Sequence, residues 1–174
     1  MYIIPLFTIL SFVLAGAIAY FFLGGFIWGA GYAPTSSKEI EKVAMLLDLK
    51  KGDTFYDLGS GYGRMIISIG VRYGVKSIGI EADPLKCWWV RLMIRRKKLE
   101  GIVNVIHSNF LEIDLEEVGK AFIFLSNSTS IMKKLKRKMF EEMKPTSRVV
   151  SYSHRFVDWQ PDRVEGGLYL YTIP

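Results

Sequence analysis

A glycine-rich segment that contains one acidic residue is the part of the sequence whose residue types most directly indicate chemistry. The segment YDLGSGYGRM follows the pattern D-x-G-x-G-x-G, with Asp57, Gly59, Gly61 and Gly63 at the fixed positions. Glycine allows a close approach between backbone and ligand because it lacks Cβ and accepts positive φ. A dinucleotide-binding fingerprint would require a glycine where this chain has Arg64. The spacing therefore argues against a dinucleotide.

The charge of Asp57 indicates which kind of small molecule the loop holds. Its carboxylate would repel a pyrophosphate at the start of the following helix, but it would attract a sulfonium and an α-amino group. S-adenosylmethionine carries both of these cationic groups. The sequence therefore predicts S-adenosylmethionine as the cofactor.

Further candidate ligands follow the next two predicted strands. Glu81 lies 24 residues after Asp57, where a carboxylate can accept hydrogen bonds from ribose hydroxyls. Asn109 and Phe110 are suited to the exocyclic amine and the ring face of an adenine. Asn109 is equally typical of a turn residue, so its role as a ligand stays open. Asp83, which precedes Pro84, is interpreted as a helix cap.

Alternating strand and helix patterns must position these residues. An apolar run such as AFIFL is typical of a central parallel strand that is covered on both faces. The alternation predicts a doubly wound α/β sheet, whose ligands bind beyond the carboxyl ends of the strands. The predicted strands are 54–57, 77–81, 103–106, 121–125, 148–152 and 168–173, and the predicted helices begin at the cap Ser37, at Met65, after Pro84 and at Ile131.

The predicted helix after Pro84 has an apolar stripe formed by Leu85, Trp88, Trp89 and Leu92. The single cysteine of the chain, Cys87, is predicted to pack in the core beside this stripe. One cysteine cannot form an intramolecular disulfide, and a chain with only two histidines predicts no metal cluster.

The N-terminal segment is apolar, and residues 1–37 contain no Asp, Glu, Lys or Arg. Residues 6–26 alone would suffice to cross a bilayer, which takes about 20 apolar residues. No basic residue precedes the run, so an uncleaved membrane helix over residues 1–30 is favoured over a signal peptide. Lysines follow the run, which predicts a single-pass membrane protein whose catalytic domain, residues 31–174, lies in the cytoplasm.

The charge of the chain is strongly basic, with 23 Lys and Arg against 17 Asp and Glu, a net charge of +6. Such a surplus suits anionic headgroups, nucleic acid or an acidic partner, and it does not choose among them.

Several motifs together resemble one family. The segments YAPTS, YDLGSGYGR, GIEAD, SNF and RVVSYSHRFVDWQP are similar to those of the archaeal protein-lysine methyltransferases and their membrane-anchored mitochondrial relatives. The likeness covers about residues 31–174. It implies a Rossmann-like class I methyltransferase fold with a seven-strand sheet, and activity on lysine side chains of a protein substrate.

The resemblance also implies a set of cofactor-binding residues. They are Tyr32, Pro34, Thr35, Asp57, Gly59, Ser60, Gly61, Glu81, Asn109 and Phe110. Two departures from the family pattern, at Tyr62 and in the segment 126–129, leave the choice of substrate open. That segment also lacks the Asn/Asp-Pro-Pro-aromatic clamp that methyltransferases of amide and base amino groups use.

Three residues are candidates for contact with the methyl acceptor. Asn127 is expected to orient the lysine amine, and Tyr32 or Trp159 is expected to wall its channel. The alternatives are a helix cap for Asn127 and a core position for Trp159. His107 and His154 are interpreted as residues at the ends of strands.

The predicted function is that of a membrane-anchored protein-lysine N-methyltransferase. Basic helical segments leave an RNA methyltransferase as one alternative, although nucleic acid is the less favoured partner. The departures from the family pattern leave a non-catalytic S-adenosylmethionine-binding membrane module as another. The oligomeric state and the number of methyl groups added do not follow from the sequence.

Overall fold

A computed structural model describes residues 7–16, 19–20, 35–125 and 129–174. The chain divides into two compact units, Met1–Tyr32 and Ala33–Pro174. In the first unit residues 7–16 are helical and are called α1. The predicted domain boundary after residue 30 stays a prediction.

The predicted membrane helix is corrected by the structure. Among the described residues, no helix is long and apolar enough to cross a membrane. The prediction of a membrane-spanning helix over residues 1–30 is therefore wrong, and so is the single-pass membrane localisation that depended on it.

The described residues of the second unit form four helices and seven strands. The helices are α2 (Ser37–Leu46), α3 (Arg64–Tyr73), α4 (Pro84–Arg96) and α5 (Thr129–Glu142). The strands are β1 (Thr54–Leu58), β2 (Lys76–Glu81), β3 (Val103–His107), β4 (Lys120–Ile123), β5 (Arg148–Tyr152), β6 (Arg163–Glu165) and β7 (Leu168–Thr172). The six strands predicted from the sequence are all present. The strand pattern did not indicate β6, which is short and largely exposed.

The seven strands form one mixed sheet in the order β3-β2-β1-β4-β5-β7-β6. Strands β1 to β5 are parallel, and β7 is antiparallel to both of its neighbours. The chain order reverses between β1 and β4, and ligands of doubly wound sheets bind at such a point. The sheet therefore places the glycine loop, which follows β1, at the expected binding edge.

Apolar side chains cover both faces of the sheet. Successive side chains of a strand point to opposite faces, and neighbouring Phe122 and Ile123 of β4 accordingly join two different buried clusters. Helices α2, α3 and α4 contribute to the first cluster, and α5 contributes to the second through Leu135. The helices thus hold the central strands, and with them the strand ends, in fixed positions.

Helix α4 buries a different face from the one that its apolar stripe indicated. Its buried residues are Cys87, Val90 and Ile94, whereas Leu85 and Trp88 are 55% and 62% exposed. The core position predicted for Cys87 is confirmed. The stripe that begins at Leu85 forms one face of the helix, but that face points away from the sheet.

The start of α2 also differs by one residue from the prediction. The N-cap is Ser36, whose Oγ accepts a hydrogen bond from the Glu39 backbone N–H at 3.3 Å. In return, Glu39 Oε2 accepts from the Ser36 backbone N–H at 2.5 Å. This reciprocal pair is a capping box, and Ser37 is the first residue inside the helix.

Candidate cofactor-binding site

Backbone hydrogen bonds hold the glycine loop against the end of β2. The N–H groups of Gly59 and Ser60 both donate to the Ile80 carbonyl, at 2.9 and 3.0 Å. The Gly63 N–H donates to the Ser60 carbonyl at 2.9 Å and closes the turn into α3. These backbone hydrogen bonds therefore hold the loop in its conformation.

Two glycines of the loop meet different local requirements. Gly61 has φ +55°, and a Cβ there would meet no atom within 4 Å, so the backbone faces open space. Gly63 has φ +74°, and a Cβ there would lie 2.9 Å from Val90 Cγ1. Gly61 thus leaves room for a ligand, whereas Gly63 allows α3 and α4 to pack closely.

The side chain of Ser60 is directed toward β2. A Cβ on Gly79 of β2 would lie 2.5 Å from Ser60 Oγ. That hydroxyl is buried and has no hydrogen-bond partner among the described residues. The role of Ser60 in cofactor binding stays a prediction, and the structure shows its side chain filling the space above Gly79.

Two backbone hydrogen bonds hold the carboxylate of Glu81. It is 7% exposed, and Oε2 accepts from the Gly61 N–H at 2.7 Å while Oε1 accepts from the Asp83 N–H at 3.0 Å. A carboxylate has about four acceptor positions, so lone pairs remain for two hydroxyl groups of a ribose. Asp83 Oδ1 itself accepts from the Leu85 N–H at 2.9 Å, which confirms Asp83 as the cap of α4.

Asp57 gives the site its electrostatic character. It is 3% exposed and is paired with Gly79 across β1 and β2. Burial, and then the negative charge of Glu81, raise the pKa of Asp57 to about 8. In the described part of the chain, no ion pair neutralises either carboxylate. A pair of buried acids beside an open glycine turn favours a cationic ligand.

The segment after β3 lies beside Glu81, because the Ser108 N–H donates to the Glu81 carbonyl at 3.0 Å. Asn109 Oδ1 accepts from the Leu111 N–H at 3.0 Å, and its Nδ2 donates to Glu112 Oε1 at 3.3 Å. These contacts are those of a turn residue. A contact between Asn109 and adenine therefore stays a prediction, as does one for Phe110, which packs against the second buried cluster.

Thr35 is the one described residue of the N-terminal motif YAPTS that was predicted to bind the cofactor. It is 7% exposed and directly precedes the cap Ser36. The predicted ligands Tyr32 and Pro34 lie outside the described residues, and so does Asn127. Their roles stay predictions.

Trp159 lies in a cluster of aromatic side chains. Its ring centroid is 4.5 Å from that of Tyr171 and 4.8 Å from that of Phe140. Tyr171 of β7 pairs with Val149 of β5, and Val149 pairs with Ala121 of β4. Ala121 in turn pairs with Tyr56 of β1, which lies before the carboxyl end of that strand at Leu58. Trp159 is half-buried and packs against the second buried cluster, and its role beside the methyl acceptor stays a prediction.

One residue at the strand ends was not singled out from the sequence. Tyr152 ends β5, and its hydroxyl donates a hydrogen bond to Glu39 Oε1, which belongs to α2. The two residues are 113 positions apart. The only sequence signal was the place of Tyr152 in the motif RVVSYSHRF, because no local pattern links such distant residues.

Comparisons with known proteins agree with this geometry. Residues 57–163 match the family described as the ANTKMT methyltransferase domain. A protein-lysine N-methyltransferase of Saccharolobus islandicus is 31% identical over 151 residues, which cover 82% of this chain and 92% of that protein.

Solved structures of S-adenosyl-L-homocysteine-bound methyltransferases are also similar to this chain. An RNA methyltransferase from Salinibacter ruber, in complex with S-adenosyl-L-homocysteine, has a TM-score of 0.75 at 31% identity and covers 82% of this chain and 94% of its own. A SAM-dependent methyltransferase from Thiobacillus denitrificans, also in complex with S-adenosyl-L-homocysteine, has a TM-score of 0.57 at 16% identity. It covers 82% of this chain and 58% of its own, and at that identity the likeness shows the fold alone.

Proposed function

Because the chain belongs to the ANTKMT methyltransferase domain family, we propose that it transfers a methyl group to lysine ε-amines of a protein substrate. The chain is an S-adenosylmethionine-dependent methyltransferase, and S-adenosylmethionine is its cofactor. The choice of lysine is supported by one observation above all, the 31% identity to a protein-lysine N-methyltransferase across most of both chains.

The residues at the carboxyl ends of β1 and β2 fit this cofactor. When bound, S-adenosylmethionine supplies a methyl group that is already attached to a good leaving group. Glu81 would accept hydrogen bonds from the ribose, since two backbone N–H groups hold its carboxylate in place. Asp57 would provide negative charge for the cationic end, and Gly61 would leave space for it. The protein then needs to align the lysine amine with the methyl group of the cofactor. Such alignment can supply most of the acceleration of an in-line displacement.

The lysine proton is the main obstacle to this reaction. With a reference pKa near 10.4, exposing the free amine at pH 7 costs about 4 to 5 kcal/mol. An apolar channel and a nearby positive charge both lower that pKa, and the proton can leave through water. The proposed mechanism therefore needs no dedicated general base.

The experiment is transfer of a radiolabelled methyl group from S-adenosylmethionine to protein, followed by identification of methyl-lysine. The full chain should label lysines of a cell extract, and Glu81→Ala should abolish the labelling. Glu100→Ala, which removes an exposed carboxylate in the turn after α4, is the matched control and should label normally. Labelling that survives Glu81→Ala would overturn the proposed site, and label on residues other than lysine would overturn the proposed substrate.

An RNA substrate is the second candidate, favoured by the name of the Salinibacter ruber neighbour and by the net charge of +6. The same assay distinguishes the two substrates if extract RNA and extract protein are offered separately. Label in RNA that declines steeply with added salt would support this candidate, because phosphate contacts release counterions. Label confined to protein would exclude it for those substrates.

A further inference from the structure

The hydroxyl of Tyr152 and the carboxylate of Glu39 join the end of β5 to the start of α2. Their bond is the largest cause of the lowered pKa of Glu39 and of the raised pKa of Tyr152. A hydrogen bond to a charged group contributes more than a neutral one. The contact is therefore a strong link between two distant parts of the unit.

The orientation of α2 places this link at the binding edge of the sheet. At the other end of the helix, the Lys120 ammonium donates to the Asp48 carbonyl at 2.5 Å. Lys120 begins β4, so the C-terminal end of α2 lies at the amino ends of the strands. Tyr152 ends β5, and the start of α2 consequently lies at the carboxyl ends, where the glycine loop also lies.

The same carboxylate controls the backbone that precedes α2. While Oε1 of Glu39 accepts from Tyr152, Oε2 accepts from the Ser36 N–H at 2.5 Å. That N–H belongs to the peptide bond with Thr35, which is buried. Glu39 thus transmits the position of Tyr152 directly to the Thr35 peptide.

Tyr152 is itself held from two sides. Its ring centroid lies 4.7 Å from that of Phe124, just beyond β4, and its backbone pairs with Leu168 of β7. The residue after Phe124 is Leu125, whose Cδ2 lies 3.3 Å from the position that a Cβ on Gly59 would occupy. The ring is therefore fixed relative to the chain that borders the glycine loop.

We propose that Tyr152 is a positioning residue, which acts through Glu39 to hold the Thr35 segment in the conformation that binds S-adenosylmethionine. The inference rests on the proposed function only in taking Thr35 as part of the cofactor site. It assigns to Tyr152 no contact with the cofactor, and it requires only that Thr35 be displaced when the hydroxyl is lost.

The test is the affinity of the full-length protein for S-adenosylhomocysteine, measured by calorimetry well below the unfolding temperature. Tyr152→Phe keeps the ring and removes the hydroxyl, and it should weaken binding about tenfold, as expected for the loss of a hydrogen bond to a charged group. Glu39→Gln should have a similar effect. The matched control is Tyr73→Phe, at the far end of α3 from the loop, which should bind as the wild type does.

A double variant separates positioning from general loss of stability. If both residues act through one bond, Tyr152→Phe with Glu39→Gln should bind about tenfold more weakly than the wild type, whereas independent effects would multiply to about a hundredfold. Multiplication, or wild-type affinity in a folded Tyr152→Phe protein, would overturn the inference. If Tyr152→Phe does not fold, wild-type affinity in Glu39→Gln would overturn it equally. A wild-type protein that fails to bind would instead defeat the proposed function.

Discussion

Asp57 and Glu81 show how single residues set the chemistry of the site. Both carboxylates are buried, but only Glu81 accepts backbone hydrogen bonds that order it. Asp57 is instead mostly protonated and uncharged at pH 7, because burial and the neighbouring charge of Glu81 raise its pKa to about 8. A cation bound beside it would favour its charged form. The site therefore gains negative charge when its ligand binds.

The raised pKa of Asp57 makes the stability of the unliganded protein depend on pH. The folded state keeps a proton on Asp57 that the unfolded state loses near pH 3.8. This stabilising contribution is complete below that pH and is lost as the pH rises through about 8. Between about pH 6 and pH 9, we expect the free energy of unfolding to fall by about 3 kcal/mol on account of this group.

Urea unfolding of Asp57→Asn checks this expectation, since the amide does not titrate. The variant should lack the decline between those pH values, whereas Asp162→Asn, at an exposed position, should keep it. An identical decline in the wild type and in Asp57→Asn would show that Asp57 does not carry the effect.

At the scale of elements, helix starts and helix contacts position these residues. The capping box of Ser36 and Glu39 begins α2 directly after Thr35, and Gly63, the last glycine of the loop, is the N-cap of α3. Each helix start therefore fixes the backbone of a predicted ligand segment. Substitutions at Ser36 and at Gly63 test these two helix starts, and they leave Asp57 and Glu81 unchanged.

Replacing the cap of α2 should cost more than replacing its neighbour. Ser36→Ala removes the acceptor of the Glu39 N–H, and we expect a loss of about 1 kcal/mol in the free energy of unfolding. Ser37→Ala lies inside the helix, where alanine is favourable, and should change stability by less than about 0.5 kcal/mol. Equal effects in urea unfolding would place the cap at the wrong serine.

Adding a methyl group at Gly63 should separate α3 from α4. Gly63→Ala combines an unfavourable positive φ with a Cβ 2.9 Å from Val90 Cγ1, and we expect a loss of about 3 kcal/mol. Gly74→Ala has a similar φ of +63° but meets no atom within 4 Å, so it should cost only about 1 kcal/mol.

The double variant Gly63→Ala with Val90→Ala identifies the source of that difference. If the contact with Val90 causes the extra loss, the double variant should be more stable than the sum of the single effects indicates. Additive losses in urea unfolding would show that the backbone conformation alone is responsible.

At the scale of the whole molecule, the described core belongs to the second unit. Both buried clusters consist of residues from Ile40 onward. One sheet joins these clusters, and the site lies along its carboxyl edge. The unit from Ala33 to Pro174 therefore contains the apolar packing that holds the strand ends in place.

A chain shortened to residues 33–174 should consequently fold. We expect a single cooperative transition in circular dichroism, with a midpoint within about 5 °C of the full-length protein, because the buried clusters are retained. A chain without a cooperative transition would show that residues 1–32 contribute to the stability of the second unit.

The sequence by itself determined the parts of this protein that depend on local patterns. The D-x-G-x-G-x-G spacing identified the loop, and its carboxylate indicated a cationic ligand. Alternation of strands and helices predicted the sheet, since each crossover helix returns the chain to the same edge. Local spacing is enough for these features because they lie within one strand, one turn and one helix.

The tertiary structure decided which surfaces meet. Periodicity grouped the stripe that begins at Leu85 on one face of α4, but packing against the sheet buried the opposite row through Cys87 and Val90. Composition predicted a membrane helix, yet no helix among the described residues is both long and apolar enough to cross a membrane. Trp159 packs against Tyr171, and Tyr152 bonds to Glu39, because contacts between distant residues depend on the sheet order and cannot be read from local spacing.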